Sequence, residues 1–220
     1  MDKFALIGYP IAHSLSPKLF RAAYGGKYQY DLVEESDFEK AWKAFEDSYK
    51  AINVTAPFKL DAFSRCDHLS PECERVGATN LCVKTPDGIK GYNSDYLGVK
   101  AIVDSLKDVE SVCVIGFGGA GKAALAAAQD CGKKTSLIRH DALSQGASAD
   151  LVIYTLPRAA QGYTSLKCAH LLEANYRDPV LKSHEGYIPG TRWHLLQAVT
   201  GYKLMTGEEV DVKEMEKVYL

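Results

Sequence analysis

Several signals are missing from this chain, and each absence closes a class of function. The six cysteines form no Cys-x-x-Cys pair, so a zinc knuckle is not expected. The six histidines are scattered, and no metal-ligand spacing emerges among them. No apolar run reaches the ~20 residues of a membrane span, and the first eight residues are too briefly apolar for a secretory signal. There is no charge excess: the formal net charge is −2, which offers no electrostatic footprint for nucleic acid or an anionic membrane. Internal repeats and low-complexity segments are absent. So is Gly-x-Ser-x-Gly, and with it the expectation of a serine hydrolase, even though His13 stands beside Ser14. Several cysteines, Cys113 among them, sit in apolar runs where they act as small hydrophobes. The expectation is a reducing cytoplasm without structural disulfides.

What is present is ordinary globular material. With 220 residues, 46% of them hydrophobic and 25% charged, the chain can bury a real core in one large domain or two small ones. Strand-like runs fall at 4–8, 28–33, 50–54 and 78–83, with a return strand at 89–92 after the turn Pro86-Asp-Gly88. Helical patterns lie between them. One starts at Pro17 with Ser16 as its cap, and one covers 38–47, capped by Ser36 or Asp37. Others run from near Pro57 to about Cys66, over 70–76, and over 95–106 with Ser94 as cap. This alternation predicts an α/β domain with a mainly parallel sheet containing one antiparallel strand.

The stretch from Ser111 to Ala128 opens a second unit. An apolar strand at 111–115 runs into Gly116-Phe-Gly-Gly-Ala-Gly121 and then an alanine-rich helix. Strand, Gly-x-Gly-x-x-Gly turn and helix are the required order of a dinucleotide fingerprint. Gly116 permits the tight turn, Gly118 lets backbone approach a pyrophosphate, and Gly121 lets helix pack on strand. Gly119 and Ala120 of the turn are expected to bind the cofactor with these glycines, and the N-terminus of the following helix offers free N–H groups to the phosphates. Further strands are expected at 134–138, 150–155 and within 166–174, a loop at 159–164, a helix at 190–200 and an acidic-start terminal helix at 207–219.

Four polar clusters follow strands of the first half: Ser14 and Ser16; Asn53, Thr55 and Lys59; Asn80; and Asn93 with Asp95. Ligands of open α/β sheets gather at carboxyl ends of strands, and hydroxyl and amide groups suit a polyhydroxylated small molecule. Lys59 and Asp95 are the ionisable pair among them, and a lysine near a carboxylate can exchange a proton with an alcohol or carbonyl. Each residue also has a plainer reading. The serines can cap and turn, Lys59 can be solvated surface, and Asp95 can be an early-helix acid.

Taken in order, Gly8-Tyr-Pro-Ile-Ala-His-Ser-Leu-Ser-Pro17, Asn53-Val-Thr-Ala-Pro-Phe-Lys59, Gly77-Ala-Thr-Asn80, Gly91-Tyr-Asn-Ser-Asp95 and Gly116-Phe-Gly-Gly-Ala-Gly-Lys-Ala123 resemble the successive signatures of the shikimate dehydrogenase family. The resemblance implies two α/β domains. One is a substrate domain over 1–100, completed by 191–220, to which a C-terminal helix returns. The other is a Rossmann-like NADP-binding domain over 101–190. It implies reversible reduction of 3-dehydroshikimate to shikimate, with Lys59 and Asp95 as the catalytic pair. The implied substrate readers are Ser14, Ser16, Thr55, Asn80, Gln197 and Tyr176. A monomer or homodimer is expected.

The departures lie mostly after the glycine turn. Ile138-Arg139-His140 stands where the family has Asn-Arg-Thr, Tyr154-Thr-Leu-Pro157 replaces a later Asn-x-Thr or Asn-x-Ser, and Trp193 takes the place of a methionine. Arg139, at the end of the second strand of that unit, suits the 2′-phosphate of NADP; NAD binders carry an acid there. NADP is therefore the expected cofactor, with NAD still possible. A quinate/shikimate paralogue and a binding or regulatory homologue with weak cofactor use remain as alternatives.

Overall fold

The computed structural model describes residues 2–157 and 165–220; the loop expected at 159–164 lies outside the described residues. The chain divides into two compact units, residues 1–94 with 198–220 and residues 95–197.

The first unit contains β1 (Lys3–Gly8), α1 (Ser16–Tyr24), β2 (Gln29–Glu34), α2 (Phe38–Ser48), β3 (Ala51–Val54), α3 (Lys59–Arg65), β4 (His68–Leu69), α4 (Pro71–Val76), β5 (Leu81–Thr85) and β6 (Gly88–Tyr92). Its sheet runs β2-β1-β3-β5-β6-β4. β5 is antiparallel to both neighbours, while β1 is parallel to β2 and β3, and β4 to β6. The reversed strand is thus β5, which precedes the Pro86-Asp-Gly88 turn.

Sequence explains most of these elements. Asp37 is the cap of α2, its carboxylate accepting from the Glu39 and Lys40 N–H groups at 3.0 and 3.4 Å. Trp42 and Phe45 recur at helical spacing and are buried by α2 against Ile7, Ile52 and Val54. Truncating either aromatic to alanine costs about 3–5 kcal/mol.

The second unit carries α5 (Ser94–Ser105), β7 (Ser111–Ile115), α6 (Gly119–Asp130), β8 (Lys134–Ile138), β9 (Ala147–Ser148), β10 (Leu151–Tyr154), β11 (Leu166–Lys167), β12 (His170–Glu173) and β13 (Tyr187–Ile188). Its sheet, β13-β12-β10-β7-β8, is wholly parallel. The strands are apolar runs because both faces are covered; Val152, Ile153, Leu171 and Leu172 are completely buried. α7 (Gly190–Thr206) begins in this unit and ends in the first, and α8 (Val212–Glu216) follows. The architecture is the mixed α/β fold with parallel sheets that the alternation predicts.

Four local expectations are corrected. Ser16 is the first residue of α1 rather than its cap, and its N–H is taken by the Ser14 hydroxyl at 3.2 Å. Ser94 likewise lies inside α5, its N–H bonded to the Asn80 side chain at 2.7 Å. The single strand expected within 166–174 is two, β11 and β12, in different sheets. The terminal helix does not begin at Gly207. α7 runs on to Thr206, and Asp211 caps the short α8 by accepting from the Glu214 N–H. Asp211 interrupts the acidic run because a capping carboxylate competes with helical backbone.

Candidate functional site

In the first unit, polar residues gather where β1, β3 and β5 meet the loops. Thr55 follows β3 directly, its N–H bonded to the Ile7 carbonyl at 3.0 Å and its carbonyl accepting from Phe58. That turn places Lys59 at the start of α3, half-buried, with its own carbonyl accepting from the Thr79 N–H. The Ser14 hydroxyl donates to the Ser16 hydroxyl at 3.1 Å. The Ser16 carbonyl in turn accepts from the Tyr202 hydroxyl at 3.1 Å, which ties α7 to α1. Asn80 Oδ1 accepts from both the N–H and the hydroxyl of Ser94, at 2.7 and 3.2 Å. Asn53, 8% exposed, accepts from the Tyr30 hydroxyl at 2.8 Å. Burial drives the Tyr30 phenol far above its ordinary pKa, with Ser16 pulling it back, so it stays a neutral donor. Tyr30 escapes sequence reasoning, since a tyrosine in an alternating strand reads simply as a β-former.

In the second unit, β7 runs into Gly116, whose φ of +99° is left-handed and suits glycine alone. A Cβ on Gly121 would collide with the Gly116 carbonyl oxygen, whereas one on Gly118 would meet nothing within 4 Å. The first position is therefore needed for packing, and the second stands open. No side chain caps α6, which starts at Gly119. A cavity of about 640 Å³ adjoins this turn, lined by Phe117, Gly118, Arg139, His140, Asp141 and Leu156. The Arg139 guanidinium lies over the Phe117 ring, 4.8 Å from its centroid. An open glycine, an uncapped helix start and a cation on an aromatic face fit a pyrophosphate and a phosphorylated ribose.

A second, smaller cavity of about 110 Å³ in the same unit brings together Asp95, Tyr176 and Gln197 with Ala120 from the first turn of α6. Trp193, His194, Ala174 and Gly190 complete its wall. The Trp193 indole N–H donates to the Asp95 carbonyl at 2.8 Å, and the Gln197 amide donates to the His194 carbonyl at 3.1 Å. Tyr176 and His194 stack at 4.3 Å with an interplanar angle of 11°. Burial lowers the His194 imidazole to about 4, against a weaker upward pull from Asp95, and pushes the Tyr176 phenol up. His194 thus enters the site as a neutral ring. Sequence reading passed over it, although its place one helical turn before Gln197 was a usable signal.

The loop that carries Tyr176 is fixed from behind by Glu173. This fully buried carboxylate accepts from the Val180 and Leu181 N–H groups at 2.9 and 3.1 Å and from the Tyr187 hydroxyl at 3.3 Å. Ser14, Ser16, Thr55, Lys59 and Asn80 belong to the first unit; Asp95, Tyr176, Gln197 and the glycine-turn residues with Arg139 belong to the second. Among the described residues, no group of three or more His, Cys, Asp or Glu could hold a metal ion, and no helix is long and apolar enough to cross a membrane.

Residues 6–82 match the family of shikimate dehydrogenase substrate binding domains. A shikimate dehydrogenase (NADP(+)) of Saccharophagus degradans is 39% identical over 131 residues, which are 54% of this chain and 47% of that one. One from Shewanella woodyi is 32% identical over 167 residues, 70% of this chain and 59% of that one. A pentafunctional AROM polypeptide of Lodderomyces elongisporus is 34% identical over 143 residues, 59% of this chain but 9% of its own length. The chain therefore spans less than two thirds of these curated relatives. Among solved structures, a shikimate 5-dehydrogenase of Thermus thermophilus in complex with NADP(H) and shikimate superposes with a TM-score of 0.86 at 23% identity, covering 100% of this chain and 98% of that one. The Aquifex aeolicus shikimate dehydrogenase gives 0.84 at 24% identity, covering 99% and 97%. At these identities the structural likeness establishes the shared fold.

Proposed function

We infer from the match of residues 6–82 to shikimate dehydrogenase substrate binding domains and from the similar curated dehydrogenases that this chain belongs to the shikimate dehydrogenase family and interconverts 3-dehydroshikimate and shikimate with NADP. The observation that carries this reading is the small cavity of the second unit. It joins a carboxylate, a phenol and an amide, at Asp95, Tyr176 and Gln197, to the first turn of the glycine helix through Ala120. A hydroxyl-bearing substrate and a dinucleotide are the two ligands such a wall would serve together.

NADP, when bound, would supply the acceptor of a hydride from the substrate carbinol carbon and, in the reverse direction, its donor. The chain's residues handle everything else. Lys59 takes the proton of the reacting hydroxyl as the carbonyl forms and returns it in the reverse direction. Asp95 accepts a hydrogen bond from a substrate hydroxyl. Ser14, Ser16, Thr55, Asn80, Tyr176 and Gln197 fix the carboxylate and the remaining hydroxyls. The open Gly118 and the uncapped N–H groups from Gly119 onward would hold the pyrophosphate, and Arg139 would meet the 2′-phosphate.

The test follows NADPH formation from shikimate, with NAD and quinate as the alternative pair. Turnover with shikimate and NADP is expected, falling by about 10²–10⁴ in Lys59→Ala while shikimate binding survives. Shikimate binding without turnover on either cofactor would defeat this reading in favour of a binding homologue. A preference for quinate would reassign the substrate.

A further inference from the structure

Three thiols of the first unit lie outside the roles given above. Cys66 directly follows α3, Cys73 is in α4 and Cys82 is the second residue of β5. In the β5–β6 ladder, Cys82 faces Gly91. A Cβ at Gly91 would stand 2.8 Å from the Cys66 sulfur. The missing side chain leaves the slot in which the Cys66 thiol rests against Cys82, sulfur to sulfur at 3.7 Å. Cys73 is engaged elsewhere: its thiol donates to the Ala78 carbonyl at 3.4 Å and contacts the Thr79 hydroxyl at 2.9 Å.

We propose that Cys66 and Cys82 form a modifiable dithiol, which a hydroperoxide converts reversibly into a disulfide that fastens the end of α3 to β5.

The geometry assigns a different part to each sulfur. Cys66 is half-buried between exposed Arg65 and Asp67, so an oxidant reaches it first. The Cys82 thiol, hydrogen-bonded to the Cys66 sulfur, and then the Thr79 hydroxyl hold Cys66 below its ordinary pKa, against burial. Burial pushes Cys82 well above the ordinary value and Cys73 to about 12, so both remain protonated. The thiolate is the nucleophile in such chemistry. The Cys66 thiolate attacks a peroxide oxygen; an S–O bond forms, the O–O bond breaks, and the distal oxygen leaves and is protonated to water or an alcohol. The Cys82 sulfur then attacks the Cys66 sulfenic acid. The S–S bond forms as the S–O bond breaks, and the departing hydroxyl takes the Cys82 proton to leave as water. Two thiols lose two electrons, and the hydroperoxide gains them. A small dithiol returns the pair to its reduced state by exchange. The helix so fastened is the one that Lys59 opens.

The experiment treats the full-length reduced chain with hydrogen peroxide, in a Cys131→Ser, Cys168→Ser background that removes the other half-buried thiols. The readouts are intact mass, thiol titration after denaturation, and peptide mapping. The expected result is a chain lighter by two hydrogens, two titratable thiols lost, a Cys66–Cys82 peptide pair, and full recovery with dithiothreitol. Cys66→Ser, a substitution at a half-buried position, should lower the cross-linked fraction at least tenfold. Cys82→Ala should do the same where circular dichroism confirms that it folds. Oxygen added at Cys66 without a cross-link, a Cys66–Cys73 pair, or no loss of thiols would each overturn the proposal.

Discussion

The polar groups of the first unit and those of the second are held in place by different means. In the first, many of the groups that read as substrate contacts are bonded within the fold. Asn80 binds Ser94, Asn53 binds Tyr30, Ser14 binds Ser16, and the Ser16 carbonyl binds Tyr202. In the second, Asp95, Tyr176, His194 and Gln197 border one void, and Arg139 borders another. Their placement comes from ring stacking, from a buried indole, and from Glu173 behind the Tyr176 loop. Substitution in the first unit should therefore disturb stability along with binding. Substitution around the second unit's voids should separate the two, except at a titrating group that the wall shields from water.

His194 is half-buried in that wall, stacked on Tyr176, and it carries the largest stability effect expected among the cavity residues. Its imidazole titrates near 4 in the folded chain and near 6.5 when unfolded. Above pH 6.5 both states are neutral and pay nothing for the difference. As pH falls from 6.5 toward 4, the unfolded chain takes up a proton that the folded chain refuses, so stability is lost. By pH 4 the loss amounts to about 3 kcal/mol. Urea unfolding of the wild type and of His194→Leu at pH 7, 5.5 and 4.5 isolates this part from carboxylates that titrate nearby. The variant should show the shallower decline; parallel curves would place His194 in contact with solvent rather than in a dry wall.

How far the sequence made this visible depended on how local the physics was. The strand at 111–115, the Gly116 turn and the alanine-rich helix were legible because each depends on its own residues: an apolar run, a left-handed glycine, a good helix former. The Pro86-Asp-Gly88 turn and the Asp37 cap were legible for the same reason. Two-residue strands such as β4 and β9 were not, because they exist only through pairing with distant partners. Ser16 and Ser94 read as caps and proved to be first helical residues. Their N–H groups found Ser14 and Asn80 instead, one two residues away and one fourteen away. In the site, Tyr176 and Gln197 came from resemblance and share a cavity with Asp95. Tyr30 and Glu173 act through buried hydrogen bonds that no short motif records.

Asn80 offers the next sharpening. Asn80→Ala removes an acceptor from a Ser94 N–H that is wholly buried, at a cost of about 1–3 kcal/mol. Urea unfolding without any ligand should show that loss. Unchanged stability together with a raised KM for shikimate would mean that Asn80 is a contact to substrate alone, and the contrast between the two units would fail on its best-connected residue.

Arg139 tests the other side with the smallest expected effect. Its guanidinium rests on Phe117 at the rim of the larger cavity, and it is exposed, so removing it takes little from the fold. Arg139→Ala should leave unfolding free energy within about 0.5 kcal/mol of the wild type, as surface substitutions do. The loss should appear in the cofactor. A charge-assisted hydrogen bond to the 2′-phosphate is worth about 1.5–3 kcal/mol, so the Kd for NADP should rise by roughly 10–100-fold while that for NAD barely moves. Asp141 lines the same cavity, and a carboxylate there suits the bare ribose hydroxyl of NAD. Equal weakening for the two cofactors would therefore assign Arg139 to the adenine face and leave the choice of cofactor to Asp141.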